Sequence, residues 1–490
     1  MTKTLKPALL ILLLTAWFLL AETKPAWAQS RIKTTAFQHQ PDLSEDKYNP
    51  VIKQKTLPLD DNRFIILTRK SARNYSLALY QTDLKKDWEA ALPLSDTEAL
   101  EAFSHNGHTA LVLTHRRTGG NGTQNIYGTL IDLPTGRKSP ARLLFEAPAS
   151  SGRISTAFSP DGNKLVIFQY VNQQDQLQAL TAMVFDGNLR KIKDRSYSVR
   201  DLRGIQSVHV GIDNTGNQYL SFITSKATRL SVRRYTNTDE EIKAMDIQIG
   251  GLFGGRQVYI LDTFFAVQPD NQVYAAAICA DDKTGEYHSL KVVRFDFGAG
   301  EMKLAPEFVF SPQYLSQLNE QAQPGSPPAK RLQDIYLADV MLSGEADLLV
   351  IAEKKYQESP GKPFVAQEMH LFAYDNFLNP SWHSLVSKHQ TATDQEGFSG
   401  ISYKGRIFGN HLHLLTLEKL KGKTDLLSRK INLKTGIAAG PSPLGLQLSS
   451  QEKLAYLKDF TAWLDDETIL AVVKPAKKPS ALQLRRVTPK

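Results

Sequence analysis

The chain has a single cysteine in 490 residues. That scarcity excludes an intramolecular disulfide framework, a cysteine-rich zinc site and a four-thiolate iron–sulfur cluster. The i, i+3, i+4 spacing of amphipathic helices is scarce throughout, and past the amino-terminal region no apolar run is long enough to cross a bilayer as a helix. A strong charge of one sign is also missing, since 59 basic against 50 acidic residues leave +9 over the whole chain. With 41% hydrophobic and 22% charged residues, the composition is that of an ordinary globular protein, which argues against global disorder, a collagen-like repeat or a polytopic membrane protein.

At the amino end Lys3 and Lys6 precede an apolar run from Ala8 to Leu20, followed by Glu22, Lys24, Pro25 and then Ala26-Trp27-Ala28. A basic region, a short apolar core and an A-x-A site together predict an export signal, residues 1–28, cleaved after Ala28. The run is too short for a membrane anchor and is followed at once by charge. No cysteine stands near the site to take a lipid. The expected product, residues 29–490, is one soluble domain in the bacterial periplasm or outside the cell, without a spanning segment. Its net charge falls to +7, because the leader removes three lysines and one glutamate. Basic residues gather near the carboxyl end (Lys474, Lys477, Lys478, Arg485, Arg486 and Lys490). We read them as a solvated face and tail, able at most to make weak contact with an anionic surface. No nucleic acid partner is expected.

What the chain does have is short apolar runs with a period of two, separated by turn residues. Eight strands stand out: Arg63 to Thr68, His108 to Thr114, Lys164 to Tyr170, Gln218 to Ile223, Val273 to Ala280, Asp347 to Ala352, His411 to Leu417 and Ile469 to Val473. Each follows a tight polar turn, anchored on Asp61, Gly107, Gly162, Gly216, Asn271, Gly344, Asn410 and Asp466, residue types that tolerate the backbone of a hairpin. The turns recur about every 55 residues, in the range of four-stranded propeller blades with loops. Third strands ending in an acidic or Asn turn recur in several units, for example Tyr75 to Tyr80 and Met369 to Tyr374. Two units carry a tryptophan in the fourth strand, Trp88 and Trp382, and two others a Thr-Gly pair at the preceding turn, Thr135-Gly136 and Thr435-Gly436.

The fold expected is therefore an all-β, eight-bladed propeller of four-stranded antiparallel blades, with seven blades as the alternative if the short first unit is incomplete. The last unit supplies three strands before the chain ends. Arg31 to Gln38 alternates enough to be the missing outer strand, so we expect a clasp of both chain ends in one blade. The widest spacing, after Asn271, holds a surface insertion, Ser311 to Arg331, with a short helix expected over Gln313 to Gln321.

Phe158-Ser-Pro-Asp-Gly-Asn-Lys-Leu-Val-Ile-Phe168 resembles the F-S-P-D-G repeat of the TolB-type, WD40-like propeller family. Weaker echoes stand at Val210 to Leu220, Val267 to Val273 and Leu342 to Leu349. The resemblance implies a propeller, often exported in bacteria, and carries no function, because the motif residues are structural. The α/β domain that precedes the repeats in TolB has no counterpart here.

Local motifs for catalysis are weak. Gly397-Phe398-Ser399-Gly400 lacks the second glycine of a nucleophile elbow, and Gly422-Lys423-Thr424 lacks the first glycine of a phosphate-binding loop. His411 and His413 share a strand face without an identifiable third ligand. The acidic runs Asp60-Asp61, Asp281-Asp282 and Asp465-Asp466-Glu467 sit in expected turns, and Cys279 sits in a buried strand. We assign no catalytic, cofactor or metal site, and expect no cofactor.

The leading functional expectation is a non-catalytic binding or scaffolding platform for an envelope protein, peptide or glycan. Its contact surfaces would be the Gly- and Arg-rich loop Arg116 to Asn125 and the insertion, with Arg116, Arg117, Asn121, Gln313, Tyr314 and Arg331 as candidate contact residues. The alternative is an enzyme of polysaccharide lyase, glycosidase or lactonase type, whose site would be assembled from single residues on several blades.

Overall fold

Alternating strands with one buried face must be covered by a neighbour, and eight such sheets cover one another in a ring. The computed structural model describes residues 31–489 apart from 42–49, 61, 120–121, 174–175, 239, 254, 322–327, 394–395, 421, 450–454 and 478–480. It is an eight-bladed β-propeller. Blade 1 has all four strands, Thr56–Pro58, Phe64–Ser71, Asn74–Tyr80 and Lys86–Pro93, so the count is eight and the seven-bladed alternative falls. First strands of neighbouring blades approach one another around a central channel.

Each interface between blades holds one apolar cluster. Ile65, Leu77 and Val112 belong to the cluster between blades 1 and 2, Phe64, Phe460 and Leu484 to the one that joins blade 8 to blade 1. The second strand of a blade packs against both neighbours. Every residue of Gln218–Thr224 and of Ile469–Val473 is accordingly buried, while a fourth strand such as Ile242–Gln248 alternates exposed and half-buried positions.

The clasp is as expected. Arg31–Ala36 pairs antiparallel with Gln483–Thr488, from Arg31 opposite Thr488 to Ala36 opposite Gln483, and completes blade 8 in the order Tyr456–Trp463, Ile469–Val473, Gln483–Thr488, Arg31–Ala36 from the channel outward. The turn of the Phe158 motif is held by its own side chains: Ser159 Oγ donates to Asp161 Oδ1 at 2.6 Å, and Asn163 N donates to the same oxygen at 3.0 Å. Those residues build a turn, as the motif implies.

The two tryptophans and the two Thr-Gly turns meet. Trp88 of blade 1 donates its indole N–H to Leu133 O at 2.7 Å, and Trp382 of blade 6 donates to Leu433 O at 2.7 Å. In both cases the ring lies on the glycine of the next blade's turn. A Cβ at Gly136 would sit 2.7 Å from Trp88 Cδ2 and one at Gly436 2.6 Å from Trp382 Cδ2, and both glycines have positive φ, +71° and +69°. Gly436→Val is thus expected to cost about 2–4 kcal/mol, from a left-handed backbone and an overpacked contact together. Gly440→Ala, with open space around it, should leave the urea midpoint unchanged.

Candidate functional site

An antiparallel blade puts its first-to-second and third-to-fourth connections at one end of the ring. The other end receives the second-to-third hairpins and the links to the next blade. The first end, the hairpin face, carries short turns such as 106–108, 187–190 and 375–379. The opposite loop face carries the longer connections, 199–206 and the described parts of 305–334, 387–402 and 474–482. Both loops singled out from the sequence lie on this loop face.

The insertion is folded onto blade 6. Ser311 caps the helix Pro312–Glu320, its hydroxyl accepting from Tyr314 N at 3.3 Å, and Pro312 starts the first turn. Tyr314 and Leu318, four residues apart, face inward and are buried. The Tyr314 hydroxyl lies 2.6 Å from His370 Nδ1, and burial pushes that imidazole down to about 3, so it is neutral. Phe308 packs edge-on against Tyr314 and Phe372, with ring centroids 5.2 and 4.8 Å apart. Asn319 then ties the far end of the segment: its amide donates to Ala329 O at 3.0 Å, and Ala329 N donates back at 2.7 Å.

Between this helix, residues 328–333 and the strand ends of blade 6 lies a cavity of about 890 Å³. Asn319, Lys330 and Arg331 line one wall, Lys354, Gln367 and His389 the other. Lys354 lies 3.8 Å from Glu368. Gln367 Nε2 and His389 Nδ1 are 3.2 Å apart. Lys388, also in the lining, forms a 2.8 Å ion pair with Glu353, and both side chains are fully buried.

Of the candidate contact residues, Gln313 is exposed, and Arg331 is exposed and lines the cavity. Tyr314 is not presented to a partner, because its ring and hydroxyl fasten the helix to blade 6, a correction to its expected place at the surface. Arg116 is braced within blade 2, its guanidinium 4.7 Å from the Tyr127 ring centroid and 3.5 Å from Glu98 Oε2. Arg117 donates to Ala149 O at 3.4 Å. The export signal and Asn121 lie outside the described residues. The structure therefore brings Arg331 to the cavity, leaves Gln313 exposed on the helix outside its lining, and keeps the two arginines of blade 2 elsewhere on the same face.

The channel mouth gathers ionisable groups that no local motif signalled. Bulges in the first strands of blades 2, 5 and 6 fall at or beside Glu101, Asp262 and Asp339. Glu101 reaches Arg153 of blade 3 at 2.6 Å, and Asp262 accepts from Leu337 N of blade 6 at 2.7 Å. Burial pushes Glu101 up to about 7 and Asp339 up to about 6. Lys404 of blade 7 donates to Gln54 Oε1 at 2.8 Å and Lys53 O at 3.1 Å. Lys55 and Asp459 pair at 3.0 Å. Lys458, brought down to about 8 by burial, donates to Phe398 O at 2.8 Å. These lysines tie down the segments 53–55 and 398–401.

The other candidates are placed as follows. Cys279 is fully buried and burial pushes its thiol up to about 12. His413 is buried and His411 exposed. Asp281 Oδ1 accepts from Lys283 N and Thr284 N, and Asp465 Oδ1 from Glu467 N, as turn carboxylates do. Among the described residues, no group of three or more His, Cys, Asp or Glu side chains is arranged to hold a metal, and no helix is long and apolar enough to cross a membrane.

No protein-family model matches the chain and no curated protein matches it, so the TolB-type resemblance rests on its motif alone. Among solved structures, the chain is similar to the WD40 domain of SCAP from fission yeast (9% identity, 96% of each chain covered, TM-score 0.41). It is also similar to the polysaccharide lyase Uly1 (11% identity, 80% of this chain and 89% of that one, TM-score 0.40). A third is prolyl oligopeptidase B from Galerina marginata (10% identity, 86% of this chain but 55% of that one, TM-score 0.43). These are likenesses of propeller fold between proteins of mixed kinds, and its own eight sheets make the chain a β-propeller.

Proposed function

We propose that the chain is an exported, non-catalytic propeller that serves as a binding or scaffolding platform for an envelope protein, peptide or glycan, engaged through its loop face. The observation that carries this reading is the asymmetry of the ring: the long connections gather at one end, where the insertion is fastened onto blade 6 beside an open cavity. A rigid scaffold with elaborated loops on one side is how folds of this kind present a recognition surface.

The test is retention of the protein on a panel of immobilised envelope glycans and peptides, with the panel then analysed for cleavage. Retention without cleavage is expected, lost when 311–331 is replaced by a Gly-Ser linker or when Arg331 is changed to Glu, and kept in Arg190→Gln on the hairpin face. Loss in the hairpin-face variant alone, or no retention on any member, overturns the platform.

A second reading, an enzyme with a site drawn from several blades, is favoured by the raised carboxyls of Glu101 and Asp339 beside cationic groups. Glu101 is engaged across a blade junction by Arg153, which supports a closing role for it. Cleavage products from the same panel, abolished by Asp339→Asn, would establish the enzyme instead.

A further inference from the structure

The platform reading leaves the chemistry of the ligand open, and the cavity narrows it. Resting on that reading, we propose that the cavity between the helix Pro312–Glu320 and blade 6 binds a short oligosaccharide carrying a carboxylate. Its volume of about 890 Å³ lies within the range of small-ligand sites.

Charge marks where the acid group goes. Lys354 and Lys388 are already answered by Glu368 and Glu353. Lys330 and Arg331 are exposed and form no ion pair among the described residues. They stand directly after Ala329, which Asn319 grips in both directions, so their backbone is fixed before a ligand arrives and less ordering cost falls on binding. A guanidinium beside an ammonium suits a carboxylate, the arginine through two parallel N–H donors.

The rest of the lining suits hydroxyls. Gln321, Gln333 and Gln367 each offer a donor and an acceptor. Glu286 and Glu368 add acceptors that take hydroxyl hydrogens and repel a densely charged polyanion. That combination disfavours an acidic peptide. The apolar and aromatic part of the described lining is Leu318, Pro328, Ala329, Leu385 and the half-buried Tyr356.

The experiment is calorimetric titration of the folded chain with aldotriouronic acid, a xylobiose bearing one uronate, beside xylotriose and hexaglutamate. The uronate should bind about tenfold or more tightly than xylotriose. That advantage should shrink as salt rises, and should vanish in Lys330→Gln/Arg331→Gln while the melting temperature stays unchanged. Equal affinity for the two trisaccharides, an unaltered advantage in the double variant, tighter binding of hexaglutamate, or no binding of the uronate each overturns the proposal. A neutral glycan or peptide retained at the loop face would leave the platform standing with this proposal gone, whereas no retention on the panel removes the platform itself.

Discussion

A chain shortened to begin after Phe37 is expected to lose several kcal/mol of stability and to self-associate. The deletion removes Arg31–Ala36 and leaves Gln483–Thr488 as an open sheet edge, a ready template for another chain. It also removes Phe37, which is 7% exposed and packs edge-on against Phe460 at 5.2 Å in the cluster that joins the last blade to the first. The local path is tied further: Phe37 N donates to Leu482 O at 3.1 Å, Gln40 N to Arg69 O at 2.8 Å, and Arg69 N to His39 Nδ1 at 3.1 Å. Phe37→Ala alone should cost about 3 kcal/mol. Denaturant midpoints and light scattering check both variants. A shortened chain that stays monomeric with the full-length midpoint would show that the clasp does not hold the ring.

Lys388→Met is expected to destabilise by about 3–5 kcal/mol, because it leaves the Glu353 carboxylate buried without its cation. The pair is 2.8 Å apart with both side chains at 0% exposure. Burial lowers the lysine's affinity for its proton, and Glu353 opposes that shift. The pair also organises the segment over blades 6 and 7: Lys388 donates to Gln390 Oε1 at 2.9 Å, Ser402 N donates to the same oxygen at 2.8 Å, and Gln390 Nε2 donates to Leu417 O at 2.9 Å. Replacing both charges, Glu353→Leu with Lys388→Met, should recover most of the loss, since two apolar groups of similar size need no partner. A double-mutant cycle measures this. Additive losses from the two single changes would mean that the charges do not depend on each other.

The eight strands legible in the sequence are all second strands of their blades, and their burial explains why. Packed against a neighbour on each side, Gln218–Thr224 and Ile469–Val473 are buried at every position, and the second is apolar throughout. First strands were hidden, because they border the channel and carry bulges and charged groups, as Glu98–His105 does at Glu101. The clasp and the helix of the insertion were readable from alternation and spacing. Trp382 and Gly436 each stand out in the sequence, but their contact leaves no local signal, since it joins different blades. At the site, Arg331 stood out by composition, whereas Tyr314 was misplaced because helix phase turns positions 314 and 318 inward together. Glu353 and Lys388 left no signal, being single residues that only the ring brings within reach.

The two ends that make blade 8 are also the first and the last parts of the described chain to be synthesised. Earlier blades can zip up in order as they emerge, but Arg31–Ala36 has to wait, unpaired, until Gln483–Thr488 appears. Such distant pairings form slowly and late. A product that stops short of Gln483 therefore keeps a loose amino-terminal strand, and loose termini are where proteases cut first. Emergence of Gln483–Thr488 and protection of the amino-terminal strand from proteolysis thus coincide in one step, the closing of the ring.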